Sequence, residues 1–464
     1  MKVFGRIVIL ALIAAFVLCA CGTTEQPETV PEFDVDTSGA DLGGFKAVWG
    51  WKGSEGSSVF GFIPDTENAD IVIVRRKDVE DSLKCTVELR FSSSLLENFR
   101  AGILAGYQDY DIIAADGYLM PDVRAGYLAG LSQYIDVQNT EKWGTPNMLQ
   151  QMLWEDDLFG VVPFAWPDII YRLSGHILAV NENLIAKLGQ TDPRDYVENN
   201  EWTWDKFEEV LADYTYTEGD KTVYGVRVHR PYYAINMFLS NGVAISSYEN
   251  GQVVAGVYTE AGREALERAQ KIYYETCSDY FHPLTDSVGD DEFVNGEAVM
   301  YLTWMNELTG NTRWIMYNMD NVGVLPFPQG PHATPGKYLS YNENLLNVFA
   351  IPANAKDPAA SAAILSAMLE PFDKYKTKED IIDYMASQIF FDRRDAEVVV
   401  NEVTNTEYGF YSEGARSVLE GVGETRTSVS QILESNKDRY DNIVEQYMIP
   451  CYRAKIAVYG EADE

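Results

Sequence analysis

Apolar positions recur along the chain in blocks that switch between the period of a strand and that of a helix. Phe45, Ala47 and Trp49 alternate with Lys46, Val48 and Gly50 and run into Trp51, Lys52 and Gly53, a first strand with a polar, glycine-bearing end. Ile71, Val72, Ile73 and Val74 open a run with a charged tail, taken as a helix that leads back to a strand at 85–91. From 94 to 106, Leu95, Leu96, Phe99, Ile103 and Leu104 share one helical face, and 109–120 (DYDIIAADGYLM) follows as a short buried strand that stops at Asp116, Gly117 and Tyr118. Strand, helix, strand in this order predicts βαβ units and a parallel sheet, whose ligands gather at the carboxyl ends of its strands.

A second set of elements begins further on. Residues 127–135 form a helix or turn with Leu128, Leu131 and Ile135 inward, and 157–166 (DLFGVVPFAW) a strand bent at Pro163, a place for the chain to leave one lobe for another. Thr203 and Thr259 stand where they cap helices with inner faces of Trp204, Phe207, Val210, Leu211 and Tyr214, and of Ala265, Leu266, Ala269, Ile272 and Tyr273. Between them Tyr224, Val226 and Val228 alternate as a strand, with Arg227 facing the other way. Residues 293–304 turn at Asn295 and Gly296 into a buried strand ending near Trp304; 322–325 adds another, and 347–351 returns towards the first lobe. Asp357 before Pro358 starts a helix, and 374–452 is helical in texture. Two α/β lobes joined by crossing strands account for this order.

With 464 residues and 46% apolar content the chain has material for two lobes. Its 71 acids against 36 bases give a net charge of −35, which repels nucleic acid and anionic lipid headgroups. Residues 1–20 have the layout of a signal peptide, with Lys2 and Arg6 before an apolar run too short for a stable span. The tetrapeptide Leu18, Cys19, Ala20, Cys21 resembles a bacterial lipobox, making Cys21 the lipidated first residue. Residues 21–40 are rich in Pro, Glu, Thr and Asp and form a flexible linker. Cys85, Cys277 and Cys451 remain, an odd number at wide spacing, expected buried and reduced rather than bridged or metal-bound.

The ordered set of segments 98–116 (NFRAGILAGYQDYDIIAAD), 157–166, 293–300 (FVNGEAVM), 322–331 (VGVLPFPQGP) and 349–360 (FAIPANAKDPAA), behind the lipobox, resembles the extracellular solute-binding proteins of ABC importers, the maltose-binding-protein-like group. The resemblance implies a type II periplasmic-binding-protein fold of two α/β lobes that close on a solute by hinge strands. Lobe 1 would comprise 41–163 and 346–404, lobe 2 164–345 and 405–464, and the chain would cross near 162–167 and 345–350. It further implies a monomer held at the outer face of the cell membrane by its lipid, which hands a small solute to a permease and needs no cofactor or metal. The stretch from Phe390 has no counterpart in the resemblance.

A sugar site needs aromatic faces for the apolar side of the ring and planar polar groups for its hydroxyls, and 9 Trp and 29 Tyr supply the first. Candidates at strand ends or in loops are Trp49, Trp51, Tyr118, Trp166, Tyr232, Trp304 and Tyr341, with Asp116, Asp168, Arg227, Glu307 and Glu343 as polar partners; Arg227 serves equally well to bridge a local acid. Carbohydrate is the favoured ligand, with peptides, polyamines and aromatic metabolites as alternatives, and a surface adhesin or glycan-active lipoprotein built on the same lobes is the competing class. Catalysis is disfavoured: the sequence has no G-x-S-x-G, H-E-x-x-H, P-loop or G-x-G-x-x-G motif. Paired acids such as Asp109 with Asp111, or Asp156 with Asp157, are expected by chance in so acidic a chain. The four scattered histidines, His176, His229, His282 and His332, are taken as surface or half-buried residues.

Overall fold

The computed structural model describes residues 41–53, 67–116, 119–164, 166, 173–249, 251–283, 291–309, 314–342, 347–390, 392–403, 405–408 and 413–460. Two sheets are built from β1 (Phe45–Lys52), β2 (Cys85–Ser92), β3 (Ile112–Asp116), β4 (His176–Asn181), β5 (Tyr216–Glu218), β6 (Lys221–Arg227), β7 (Ala298–Trp304), β8 (Val322–Leu325) and β9 (Asn347–Ala350). The longer helices are α1 (Glu67–Leu83), α2 (Leu95–Ala105), α3 (Trp204–Tyr214), α4 (Arg230–Leu239), α5 (Glu260–Lys271), α6 (Pro358–Met368), α7 (Lys378–Met385), α8 (Arg393–Val403), α9 (Glu413–Glu424), α10 (Val429–Ile443) and α11 (Ile449–Tyr459). The run opening at Ile71 is therefore the expected helix, α1, although its apolar residues do not gather on one face.

The first sheet has the order β9-β3-β1-β2, with β1 parallel to β2 and β3, and β9 antiparallel to β3. The chain winds from β1 through α1 to β2 and back through α2 to β3 on the far side of β1. In open α/β sheets such a switch is the usual place of a ligand crevice, at the carboxyl ends of the strands, which here are Lys52 and Asp116. Asp111 fixes the entry to β3. Its fully buried carboxylate accepts hydrogen bonds from the Val48 amide at 2.9 Å and from Gln108 Nε2 at 2.6 Å. A buried charge is tolerated only when bonded in this way.

The second sheet has the order β8-β4-β7-β6-β5, with β7 parallel to β6 and antiparallel to β4. Thr203 caps α3 by accepting from the Lys206 amide, and Trp204, Phe207, Val210, Leu211 and Tyr214 are the buried face, as the spacing requires. Thr259 caps α5 and Asp357 caps α6 in the same manner. Helix α4 is buried on nearly every side, since α5 and α9 both pack against it.

The segments that flank the two expected crossings lie side by side. Val161 forms a two-way backbone bridge with Phe349, and Asn342 Nδ2 donates to the Ser174 carbonyl at 2.8 Å. Gly175 lies so close to Ser340 that a Cβ there would stand 2.0 Å from its Oγ. Ser340–Asn342 also pairs in parallel with Thr406–Tyr408. The late helices are not confined to one lobe. Asp395 of α8 accepts from the Val324 amide of the second sheet at 3.0 Å, while in α11 Tyr452 donates to the Ser246 carbonyl at 2.6 Å and Lys455 donates to Asn147 of the first lobe at 2.6 Å. The expected division at 404 thus passes between two elements that each hold the other half. Among the described residues no helix is long and apolar enough to cross a membrane.

Candidate functional site

The antiparallel register of β7 and β4 sets Trp304, the last residue of one, opposite His176, the first of the other. Around this pair the second lobe collects an aromatic group. His176 lies 4.6 Å from Tyr232 and, stacked, 5.9 Å from Tyr341, and Trp304 meets His176 at 5.5 Å and Tyr232 at 5.8 Å nearly at right angles. His229, at the cap position of α4, adds a contact of 4.6 Å to Tyr232. His176, Tyr232 and Tyr341 are buried, whereas Trp304 and His229 are half-buried and reach the surface. Such ring pairs contribute about 0.5–1.5 kcal/mol each beyond their area, which holds the Trp304 indole in one orientation.

Successive strand residues face opposite sides, so Tyr301 and Thr303 lie across the sheet from Trp304. There Arg227 pairs with Glu292 at 3.0 Å and stacks its guanidinium 4.8 Å from the Tyr301 ring. Tyr301 and Thr303 both donate to Glu307, at 2.9 and 2.7 Å. The structure therefore brings Tyr232, Trp304 and Tyr341 together and places Arg227, with the hydroxyls that hold Glu307, on the opposite face. Arg227 serves the local acid that was its alternative role. His176 and His229 belong to the aromatic group: His229 is half-buried, as expected, whereas for His176 the expectation is corrected, since it is about 1% exposed. Its position opposite a tryptophan is set by strand register, which sequence spacing does not reveal.

In the first lobe Trp49 and Trp51 project from the same side of β1 and stack at 5.9 Å, with Phe349 of β9 edge-on to both. At 0% and 4% exposure they form the packed layer beneath the crevice, not its surface. Trp166 is also fully buried: its indole N–H donates to the Glu370 carbonyl at 3.2 Å and its ring packs on Phe372. Asp116 is the last residue of β3. Tyr118, Asp168, Glu343 and Cys21 lie outside the described residues.

Away from the aromatic group, several buried ionisable groups have fixed partners. Asp111 is committed to backbone and amide donors, and Asp122 to a two-pronged pair with Arg100 at 2.7 Å. Cys85, Cys277 and Cys451 are buried free thiols, and burial pushes them up to about 11, 11 and 12, away from nucleophilic thiolate. No group of three His, Cys, Asp or Glu among the described residues is placed to hold a metal ion.

The family model described as bacterial extracellular solute-binding protein matches residues 83–372. The match stops within the segment after α6, close to where the sequence resemblance also ends. No curated protein matches the sequence. Among solved structures, similarity extends to an ABC substrate-binding protein from Listeria monocytogenes in complex with cycloalternan, at 14% identity and a TM-score of 0.57 over 87% of this chain and 99% of that one. The sugar-binding protein MalE from Xanthomonas citri gives 14% and 0.58 over 86% and 98%. UgpB from Mycobacterium tuberculosis in complex with glycerophosphocholine gives 15% and 0.59 over 87% and 99%. At these identities the shared property is the two-lobed fold.

Proposed function

Since the chain belongs to the bacterial extracellular solute-binding proteins, we propose that the solute is a carbohydrate, a mono- or oligosaccharide, delivered unaltered to the permease of an ABC importer. The observation that carries this reading is the aromatic group at the end of the second sheet, with the Trp304 indole fixed by His176 and Tyr232 and half-buried. An indole so held offers a sugar ring a flat apolar surface at little further ordering cost. Asp116, at a strand end of the first lobe, is the polar partner we assign to the opposite wall, together with Tyr118, Asp168 and Glu343. The sugar-binding proteins among the structural relatives support the same ligand class.

The mechanism is closure. In the open form each lobe presents half of the contacts, and the solute completes a set that only the closed form makes, which shifts the population towards it. The paired crossing segments act as the hinge. We assign residues 1–20 to a signal peptide and Cys21 to a lipid anchor, so that a monomer works at the outer face of the membrane. The glycerophosphocholine complex of UgpB supplies the competing ligand class, because aromatic rings also receive quaternary ammonium groups.

The test is a panel of maltodextrins, other oligosaccharides and glycerophosphocholine, read by melting temperature, tryptophan fluorescence and product analysis. A sugar that raises the melting temperature and shifts the fluorescence while being recovered intact is the expected result. A response confined to glycerophosphocholine, or recovery of cleaved sugar, overturns the carbohydrate reading.

A further inference from the structure

A cavity of about 390 Å³ lies away from the aromatic group, between the edge strand β8 and helix α8. Its wall has an apolar part in Val197, Leu325, Pro326 and Val398, and a polar part in which two groups have no hydrogen-bond partner among the described residues. One is the Tyr338 hydroxyl. The other is the carboxyl of Glu402, both oxygens of which are buried in a side chain only 3% exposed. A buried carboxyl left without donors is costly to the fold, and here it borders an open volume. Glu402 stands in the last turn of α8, and Tyr338 lines the same cavity.

The charge around the cavity selects the sign of an occupant. Two guanidinium groups line it, and both are more than matched. Arg194 is ringed by Glu182, Asp192 and Asp395 within 3.1 Å, and Arg394 lies within 3.5 Å of Asp195, Glu198 and Asp392. Glu397 is taken up by Arg393 at 2.8 Å. Neither arginine is left over for an anion, and the surplus of acids favours a cation.

We propose that this cavity is a second ligand site, which takes a small primary amine with its ammonium group against Glu402 and Tyr338 and its hydrocarbon part against Val197, Leu325, Pro326 and Val398. The ammonium supplies three donors to the two groups that lack them. Burial holds the Glu402 carboxyl well above the ordinary carboxylate range and lifts Tyr338 up to about 12, so the empty site is neutral at these two groups. When the ammonium enters, Glu402 gives its proton to solvent and becomes the paired carboxylate, so that binding releases one proton. The site does not depend on which solute occupies the cleft.

Calorimetric titration of the full mature chain with hexylamine hydrochloride, in two buffers of different ionisation enthalpy, tests this, with 1-hexanol and sodium hexanoate titrated in parallel. The expected result is hexylamine binding with release of about one proton per site near neutral pH and at least tenfold weaker binding of hexanol. In Glu402→Gln the hexylamine affinity should fall by about tenfold or more and the proton release should vanish, while cooperative melting and the response to the cleft solute persist. Equal binding of hexanol, preference for hexanoate, unchanged hexylamine binding in Glu402→Gln, or absence of any heat at millimolar hexylamine overturns the proposal.

Discussion

Trp304 is held by two near-perpendicular ring contacts and still reaches solvent, a combination that makes it separable from the fold. Trp304→Ala is expected to weaken solute binding by about tenfold or more, roughly 1.4 kcal/mol, with Trp304→Phe losing less; fluorescence or calorimetric titration measures both. Unchanged affinity in a cooperatively melting Trp304→Ala would remove the ring from the site. Glu402 makes a different kind of prediction, about stability. Its carboxyl is protonated in the folded chain because burial raises it, while in the unfolded chain it ionises above about pH 4.3. Protonation thus favours the folded state, and the wild type loses stability relative to Glu402→Gln as pH rises from about 4 towards neutrality. Urea unfolding of the two proteins should coincide at the acid end of that range and diverge above it, the Gln variant being the more stable.

At the level of elements the crossing is closely packed. A methyl group at Gly175 would meet Ser340 Oγ at 2.0 Å and the Tyr341 amide at 3.0 Å. Gly175→Ala is therefore expected to destabilise by about 1–3 kcal/mol and to alter solute affinity at the same time, since the strained contact lies between the segments that bend; urea unfolding and titration read the two effects. The strands and caps were legible in the sequence because they depend on local rules: alternation at 45–49, the Thr203 and Thr259 caps, and Asp357 before Pro358 all appear in the fold. The distribution of aromatics between core and surface was not. Trp49, Trp51 and Trp304 each sit at or near a strand end, but the first two are buried against Phe349 of β9 and the third is left at a rim. Arg227 and Glu307 were grouped with Trp304 by position along the chain, whereas the odd spacing from Tyr301 to Trp304 puts their partners across the sheet. Glu402 gave no signal, since a burial this complete arises only when α8 packs on β8.

For the molecule as a whole, closure should appear as a fall in radius of gyration on adding solute, measured by small-angle scattering, with no change in mass. Helix α11 sets a limit on that motion. Its Tyr452 hydroxyl is fastened to Ser246 in one half and its Lys455 ammonium to Asn147 in the other, so this helix ties the two halves together. A tie between two jaws resists their parting. Cutting one end with Lys455→Met, which keeps the length of the side chain, should let the free protein gape wider and let the guest escape sooner.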